Sequence, residues 1–474
     1  MPMILVIRRA TALVAALLLA ACTSRPASGP AASSSASPVL AITNVTVVDV
    51  TGGPPRPAQT VVVSGGRITS VGPAAGAQVP RGARVVDGTG KYVVPGMWDM
   101  HSHITMFGRM GLDLYLAHGV TGIRDMGGER FAAVKALRDS VAAGQIMGPR
   151  MRIASPVVEN QRWLEWTRQA SAQAGTPWRL HERFGPASPA GAERWVDSVV
   201  ALGADHIKVR NWPDTTISRA LMARARERGL QVAAHANEPF PRTGVSSYEH
   251  GIWPPLRVSD AARDSLWRHF AANGASVVPT LVTWPIRLDP PDTLIARLDE
   301  GRIAGLCYVP ADALREWREQ LTNMKQERGQ IDWPEVYRGE VRNAAEMHRA
   351  GVPLMTGTDI GAPLLVPGFS LHDELALLVR DAGMTPLQAL QAATLTPARV
   401  MGLADETGTV EAGKRADLVL LDADPLADIR NTRRIHAVVA NGRWMDRAAL
   451  DRLLYGARQG SPEACAREAG AAAP

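Results

Sequence analysis

The chain has 474 residues, of which 46% are hydrophobic and 21% charged. This is a globular composition, and it excludes a largely disordered or fibrous protein. Lysine and arginine total 52 against 46 acidic residues, a formal charge of +6. The basic residues are scattered, so nothing points to nucleic-acid binding.

The first segment reads as an address. Arg8 and Arg9 precede a short apolar run, residues 13–21. Such a run is too short to span a bilayer and suits a secretory signal. It ends at Leu19-Ala20-Ala21-Cys22, which is similar to a bacterial lipobox. Residues 1–21 are therefore expected to be a lipoprotein-type signal peptide. Cys22 would be acylated and would anchor an exported protein at a periplasmic or outer-membrane face. An ordinary signal peptide with a chance cysteine is the plainer alternative. Residues 22–38, rich in Ser, Ala, Pro and Gly, read as a flexible tether. Cys307 and Cys465 remain; they pair, or they stay one buried thiol and one tail thiol.

Short β-branched runs follow at 40–48, 60–63, 67–71 and 84–87, with a Gly65-Gly66 turn. The pattern returns at 417–421 and 437–440, followed by Asn441-Gly442. Segments 39–91 and 405–446 are expected to form one composite β-sandwich, with 447–474 as a C-terminal tail.

Between them, residues 92–404 alternate apolar β runs with amphipathic helices. Eight strands are expected, at 92–100, 120–126, 151–158, 206–210, 231–236, 247–251, 276–280 and 353–359. The clearest helices are 132–142 and 217–228. Two long connections, 159–205 and 281–352, carry Trp163, Trp166, Trp178, Trp284, Trp317 and Trp333. Such connections serve as lids or pack extra helices. Ser370 resembles a helix N-cap, as does Thr385 before Pro386.

His101 and His103 end the first of these strands. Residues i and i+2 of a strand face the same side, so the two imidazoles converge. Neutral imidazole is a good Zn²⁺ ligand. Four further strands bring Lys208, His235, His250 and Asp359 to or near their C-terminal ends. Active sites of (β/α)₈ barrels lie at that face.

With these residues the chain resembles the amidohydrolase superfamily in its binuclear form, on the branch of imidazolonepropionase-like and Xaa-Pro dipeptidase-like proteins. The segments Val94-Pro95-Gly96-Met97-Trp98-Asp99 and Ala412-Gly413-Lys414-Arg415-Ala416-Asp417-Leu418 share in it. The resemblance implies an α/β fold, a (β/α)₈ TIM barrel beside the composite β-sandwich, and two divalent metal ions. It assigns His101, His103 and Asp359 to one ion and His235 and His250 to the other, with Lys208 bridging both as a carbamate. It also implies hydrolysis of a C–N bond in a small molecule or dipeptide by a metal-bridging hydroxide, with Asp359 as proton carrier. Xaa-Pro dipeptidase action is the sharper form. The carbamate has a physical reason, because an ammonium cannot sit between two divalent cations. Zn²⁺ suits the donors; Mn²⁺, Fe²⁺ and Co²⁺ stay open.

One motif points elsewhere. His235-Ala236-Asn237-Glu238 matches the His-x-x-Glu of mononuclear deaminases in the same superfamily. A deaminase or cyclic-amide hydrolase is the enzymatic alternative, and a non-catalytic solute-binding envelope lipoprotein the alternative of another class. His372 follows the eighth strand and could touch substrate. Arg210 could clamp a substrate carboxylate or form a surface salt bridge, with Arg242 as its rival.

Overall fold

The computed structural model describes residues 39–128, 130–175, 182–236, 244–251, 258–327, 329, 331–459 and 465. The expected signal peptide 1–21, Cys22 and tether 22–38 lie outside the described residues, as do Trp178, Glu238 and Arg242.

Five strands open the chain: β1 (Leu40–Val47), β2 (Arg56–Ser64), β3 (Arg67–Pro73), β4 (Arg84–Asp87) and β5 (Tyr92–Pro95). Nine short ones follow: β6 (Met97–Ser102), β7 (Val120–Asp125), β8 (Arg150–Ile153), β9 (Val157–Val158), β10 (Arg183–Phe184), β11 (His206–Val209), β12 (Gln231–His235), β13 (Ser247–Glu249) and β14 (Ser276–Val278). Three close the fold: β15 (Leu418–Leu421), β16 (Ile435–Ala440) and β17 (Arg443–Asp446).

Both ends of the chain share one sheet, in the order β17-β16-β15-β5-β1-β2-β3, with β4 also on β1. They meet where β5 pairs antiparallel with β15, Leu418 opposite Pro95. The composite element is linked by hydrogen bonds into one eight-stranded path that runs through both ends of the chain. Strand β1 explains this. One edge pairs with β2, while the other pairs first with β4 and then with β5. Between them Asn44 takes φ 56° and breaks the register. Ile42, Val61, Ile68, Leu418 and Val439 fill the enclosed core.

The barrel begins later than position 92. Tyr92–Pro95 belongs to the terminal sheet, and the first barrel strand starts at Met97. Strands β6, β7 and β8 run parallel, as do β11 to β14. Three contacts join these arcs into a ring. Ala154 bridges His206, Val277 bridges Leu354, and Met100 N donates to Thr356 O at 2.9 Å. The expected eighth strand, 353–359, is held by such bridges rather than by a regular ladder. The expected third strand also breaks, at Pro156, into β8 and β9. Every residue of β6, β7, β11 and β13 is buried, as both-face coverage requires.

Helices Phe131–Ala142 and Thr215–Glu227 lie where their periodicity predicts. Thr385 forms a full capping box with Gln388. Ser370 is not a cap. Helix Phe369–Arg380 starts one residue earlier, and the Ser370 hydroxyl accepts from Val366 N at 2.9 Å. The C-terminal stretch is more than a tail: it forms helix Arg447–Gly456 and returns through a Cys307–Cys465 disulfide. Among the described residues no helix is long and apolar enough to cross a membrane.

Candidate metal centre

Strand alternation aims His101 and His103 at one point, and the eighth strand delivers Asp359 to it. Asp359 Oδ1 lies 3.2 Å from His103 Nε2 and 3.4 Å from His101 Nε2. The donor atoms of these three residues fall within 4.8 Å of one another, a group that could hold a metal ion. Gly357 makes the approach possible, since a Cβ there would sit 2.8 Å from His101 Cβ.

The second pair of imidazoles closes over the first. The His250 ring centroid is 4.4 Å from that of His101 and 4.8 Å from that of His235. Lys208, on β11, is 2% exposed, and its Nζ has no hydrogen-bond partner. The rings of His250 and His235 thus lie beside the His101, His103 and Asp359 group, and the charge of Lys208 acts on His101 and His235.

The outer nitrogens of three histidines are already engaged. His101 Nδ1 meets Glu249 Oε2 at 2.8 Å, His103 Nδ1 meets Gly127 O at 2.7 Å, and His250 Nδ1 meets Thr280 Oγ1 at 2.9 Å. Each contact leaves Nε2 facing inward, which is how ligating histidines are oriented. His101 Nε2 is buried with no hydrogen bond. These donors fit a divalent metal on geometry alone.

Electrostatics agrees. Burial and the charge of Lys208 push both His101 and His235 well below the usual histidine range, so they are neutral donors. Burial alone would raise the Asp359 carboxyl. The charge of His250 and the hydrogen bond from His103 instead hold it well below the usual range. Burial brings the Lys208 amine down to about 8. Three non-glycine residues here adopt left-handed backbone: His250 (φ 66°), Thr280 (φ 46°) and Asp359 (φ 57°). Strained conformations of this kind cluster at functional sites.

Three residues not expected from the sequence build the site. Glu249, fully buried, accepts from Arg124 at 2.8 Å and Ser247 at 2.6 Å while holding His101. Asp99 accepts from Thr358 N at 3.0 Å and Tyr115 Oη at 3.0 Å, tying strand one to strand eight. Burial raises its carboxyl to about 6. Arg287 lines the pocket with Trp284. That pocket, of about 290 Å³, also has His235, His250 and Asp359 in its walls.

Two expected residues go elsewhere. His372 is buried in helix Phe369–Arg380, with Nδ1 on Thr432 Oγ1 (2.9 Å) and Nε2 on His118 O (3.1 Å). Both nitrogens are spent on packing, and His372 does not line the pocket. Arg210 takes its salt-bridge alternative. It pairs with Glu159 at 2.8 Å and stacks on Trp163, outside the pocket lining.

Comparison with known proteins agrees with this geometry. The model of the amidohydrolase family matches residues 92–445. An adenine deaminase of Rubrobacter xylanophilus is 29% identical over 421 residues, 85% of this chain. The chain spans 57% of that protein's length. An imidazolonepropionase of Geobacillus kaustophilus is 26% identical, covering 72% of this chain and 77% of its own. A solved structure from Bifidobacterium longum, described as a candidate prolidase, is 29% identical with a TM-score of 0.65; 89% of this chain and 99% of that one are covered.

Proposed function

The chain belongs to the amidohydrolase family, and from that premise we propose a binuclear metal enzyme that hydrolyses a C–N bond, cleaving the amide of a small, carboxylate-bearing substrate such as a dipeptide or N-acyl amino acid. The observation that carries the reading is the buried Lys208 Nζ, without a hydrogen-bond partner and close enough to His101, His235 and Asp359 for their charges to act on one another.

His101, His103 and Asp359 would hold one ion, and His235 and His250 the other. Lys208 would bridge them after its neutral amine adds to CO₂, forming an N–C bond and releasing one proton. When bound, such ions supply an acidified water and a Lewis acid for the scissile carbonyl. The chain's own part is positioning and proton transfer. Asp359 takes the proton of the attacking water as its oxygen bonds to the carbonyl carbon. It then gives that proton to the departing nitrogen as the C–N bond breaks. Glu249 keeps His101 in the tautomer whose Nε2 is bare. Arg287, beside Trp284, supplies a positive charge at the pocket wall to meet a substrate carboxylate.

Xaa-Pro dipeptide cleavage is the sharper form, supported by the candidate prolidase at 29% identity. Deamination is a second reading, favoured by the adenine deaminase match. A screen of dipeptides, N-acyl amino acids and aminopurines tests both. Chelator-reversible release of a free amino acid supports hydrolysis of an amide. Ammonia release from the purines with inert peptides overturns it.

For location we propose export, with the Cys22 lipid anchor expected from the lipobox. The Cys307–Cys465 disulfide supports an oxidising compartment. Mass spectrometry of the native N-terminus tests the anchor.

A further inference from the structure

The barrel has a second polar cavity, at the end opposite the metal centre. It measures about 230 Å³ and is lined by Arg124, Arg152, Asp205, His206, Gly229 and Gln231. These residues come from the opening turns of the inner strands or from within β7 and β8. His206 begins β11, two residues before Lys208, so both face the barrel interior one layer apart.

His206 is 3% exposed, and neither ring nitrogen has a hydrogen-bond partner. A buried polar side chain is normally paired. Two orphaned nitrogens on one ring, at the wall of a cavity, mark a place where something else supplies the partner.

The lining identifies the chemistry of that partner. Asp205 is the acidic side chain in the lining. Its two oxygens already accept from Arg152 and Arg138, each at 3.0 Å. Arg138 is also paired with Asp139, so the charges of that cluster balance, and neither Asp205 oxygen is left spare. On the inner wall Arg124 is held by Met100 O, Ser247 and Glu249. Gln231 Nε2 donates to Val400 O at 2.5 Å. The lining thus offers N–H donors, from Arg152 and from His206, and no spare carboxylate oxygen, which disfavours a metal ion. Gly229 is exposed and Arg152 keeps 38% of its side chain accessible, so the cavity is reachable from solvent. A water occupies about 30 Å³ of liquid, so there is room for a tetrahedral oxyanion with its remaining hydration.

We propose that this basal cavity is a binding site for a small oxyanion of the phosphate class, received by His206 and Arg152 with Arg124 behind them. It is separate from the metal pocket and does not depend on the reaction proposed above.

The test is calorimetric titration of the metal-loaded full chain with orthophosphate at constant ionic strength, with sulfate and bicarbonate as separate arms. A crystal soaked in arsenate locates the anion. The proposal predicts saturable binding, weakened at least tenfold in His206→Leu, and arsenate density within hydrogen-bond distance of the His206 ring. Retention of the oxyanion by wild type also keeps the proposal testable where His206→Leu misfolds, because the crystal reads the site directly. No saturable binding, unchanged affinity in a folded His206→Leu, arsenate confined to the metal pocket, or water alone at His206 would each overturn it.

Discussion

Glu249→Gln is the sharpest probe of how the metal centre is assembled. The substitution keeps the shape but converts one acceptor oxygen into an NH₂. In the native site Oε2 receives His101 Nδ1–H at 2.8 Å, and Oε1 receives Arg124 at 2.8 Å and Ser247 at 2.6 Å. A glutamine can satisfy only one side. If its NH₂ faces Arg124, two donors collide and a buried guanidinium loses its counter-charge. If it faces His101, the ring must put its proton on Nε2 and cannot ligate. Losing the partner of a ligating histidine typically costs ~10–100-fold in metal affinity. That corresponds to about 1.4–2.8 kcal/mol. A competition titration against a fluorescent chelator measures the affinity, and circular dichroism shows whether the variant is folded. A folded Glu249→Gln that binds metal within about twofold of wild type would refute the reasoning.

Further outcomes follow from burial and charge. Glu340 is 1% exposed, and burial raises its carboxyl from 4.5 to about 8. Its stabilising contribution is fully present below the unfolded value and is lost as pH rises through about 8, at ~1.4 kcal/mol per unit. Glu340→Gln should therefore gain on wild type with rising pH and level off above about 8; urea melts at pH 5 and 9 measure this, and parallel curves would contradict it. Replacing Cys307 and Cys465 together by serine should lower stability by ~2–4 kcal/mol, as should reductant on the native chain. Equal denaturation midpoints with and without reductant would show the bridge to be absent. Arg287→Met should raise KM ~10–100-fold for carboxylate-bearing substrates, with little change for their C-terminal amides. An equal effect on both kinds of substrate would remove Arg287 from recognition.

The legible part of the site is the part that obeys strand parity. His101 and His103 are i and i+2 at the end of one strand, so their common direction follows from the sequence alone. Parity fails where the backbone leaves the extended region. In a regular strand Glu249 and His250 would face opposite sides. The φ of 66° at His250 swings its ring back, and both residues reach His101. A carboxylate beside a histidine therefore reads as an outward neighbour, although Ser247 and Glu249 at i and i+2 are a usable signal for the inner face. Arg210 shows the reverse failure, because parity places it with Lys208 but Glu159 and Trp163 hold it. Arg287 sits in a long connection with no period to read, and its place beside the pocket comes from tertiary packing. In the fold, the alternating β and helical runs mark the barrel. The boundary at Gly96 does not show, because Val93 and Val94 are as apolar as the barrel strand that follows.

The central claim is that Lys208 completes a two-ion centre, and elemental analysis of the purified chain beside Lys208→Ala addresses it most directly. The account predicts two divalent ions per wild-type chain, at most one in the variant, and loss of hydrolysis with the second ion. One ion in wild type, with undiminished turnover in Lys208→Ala, would contradict it.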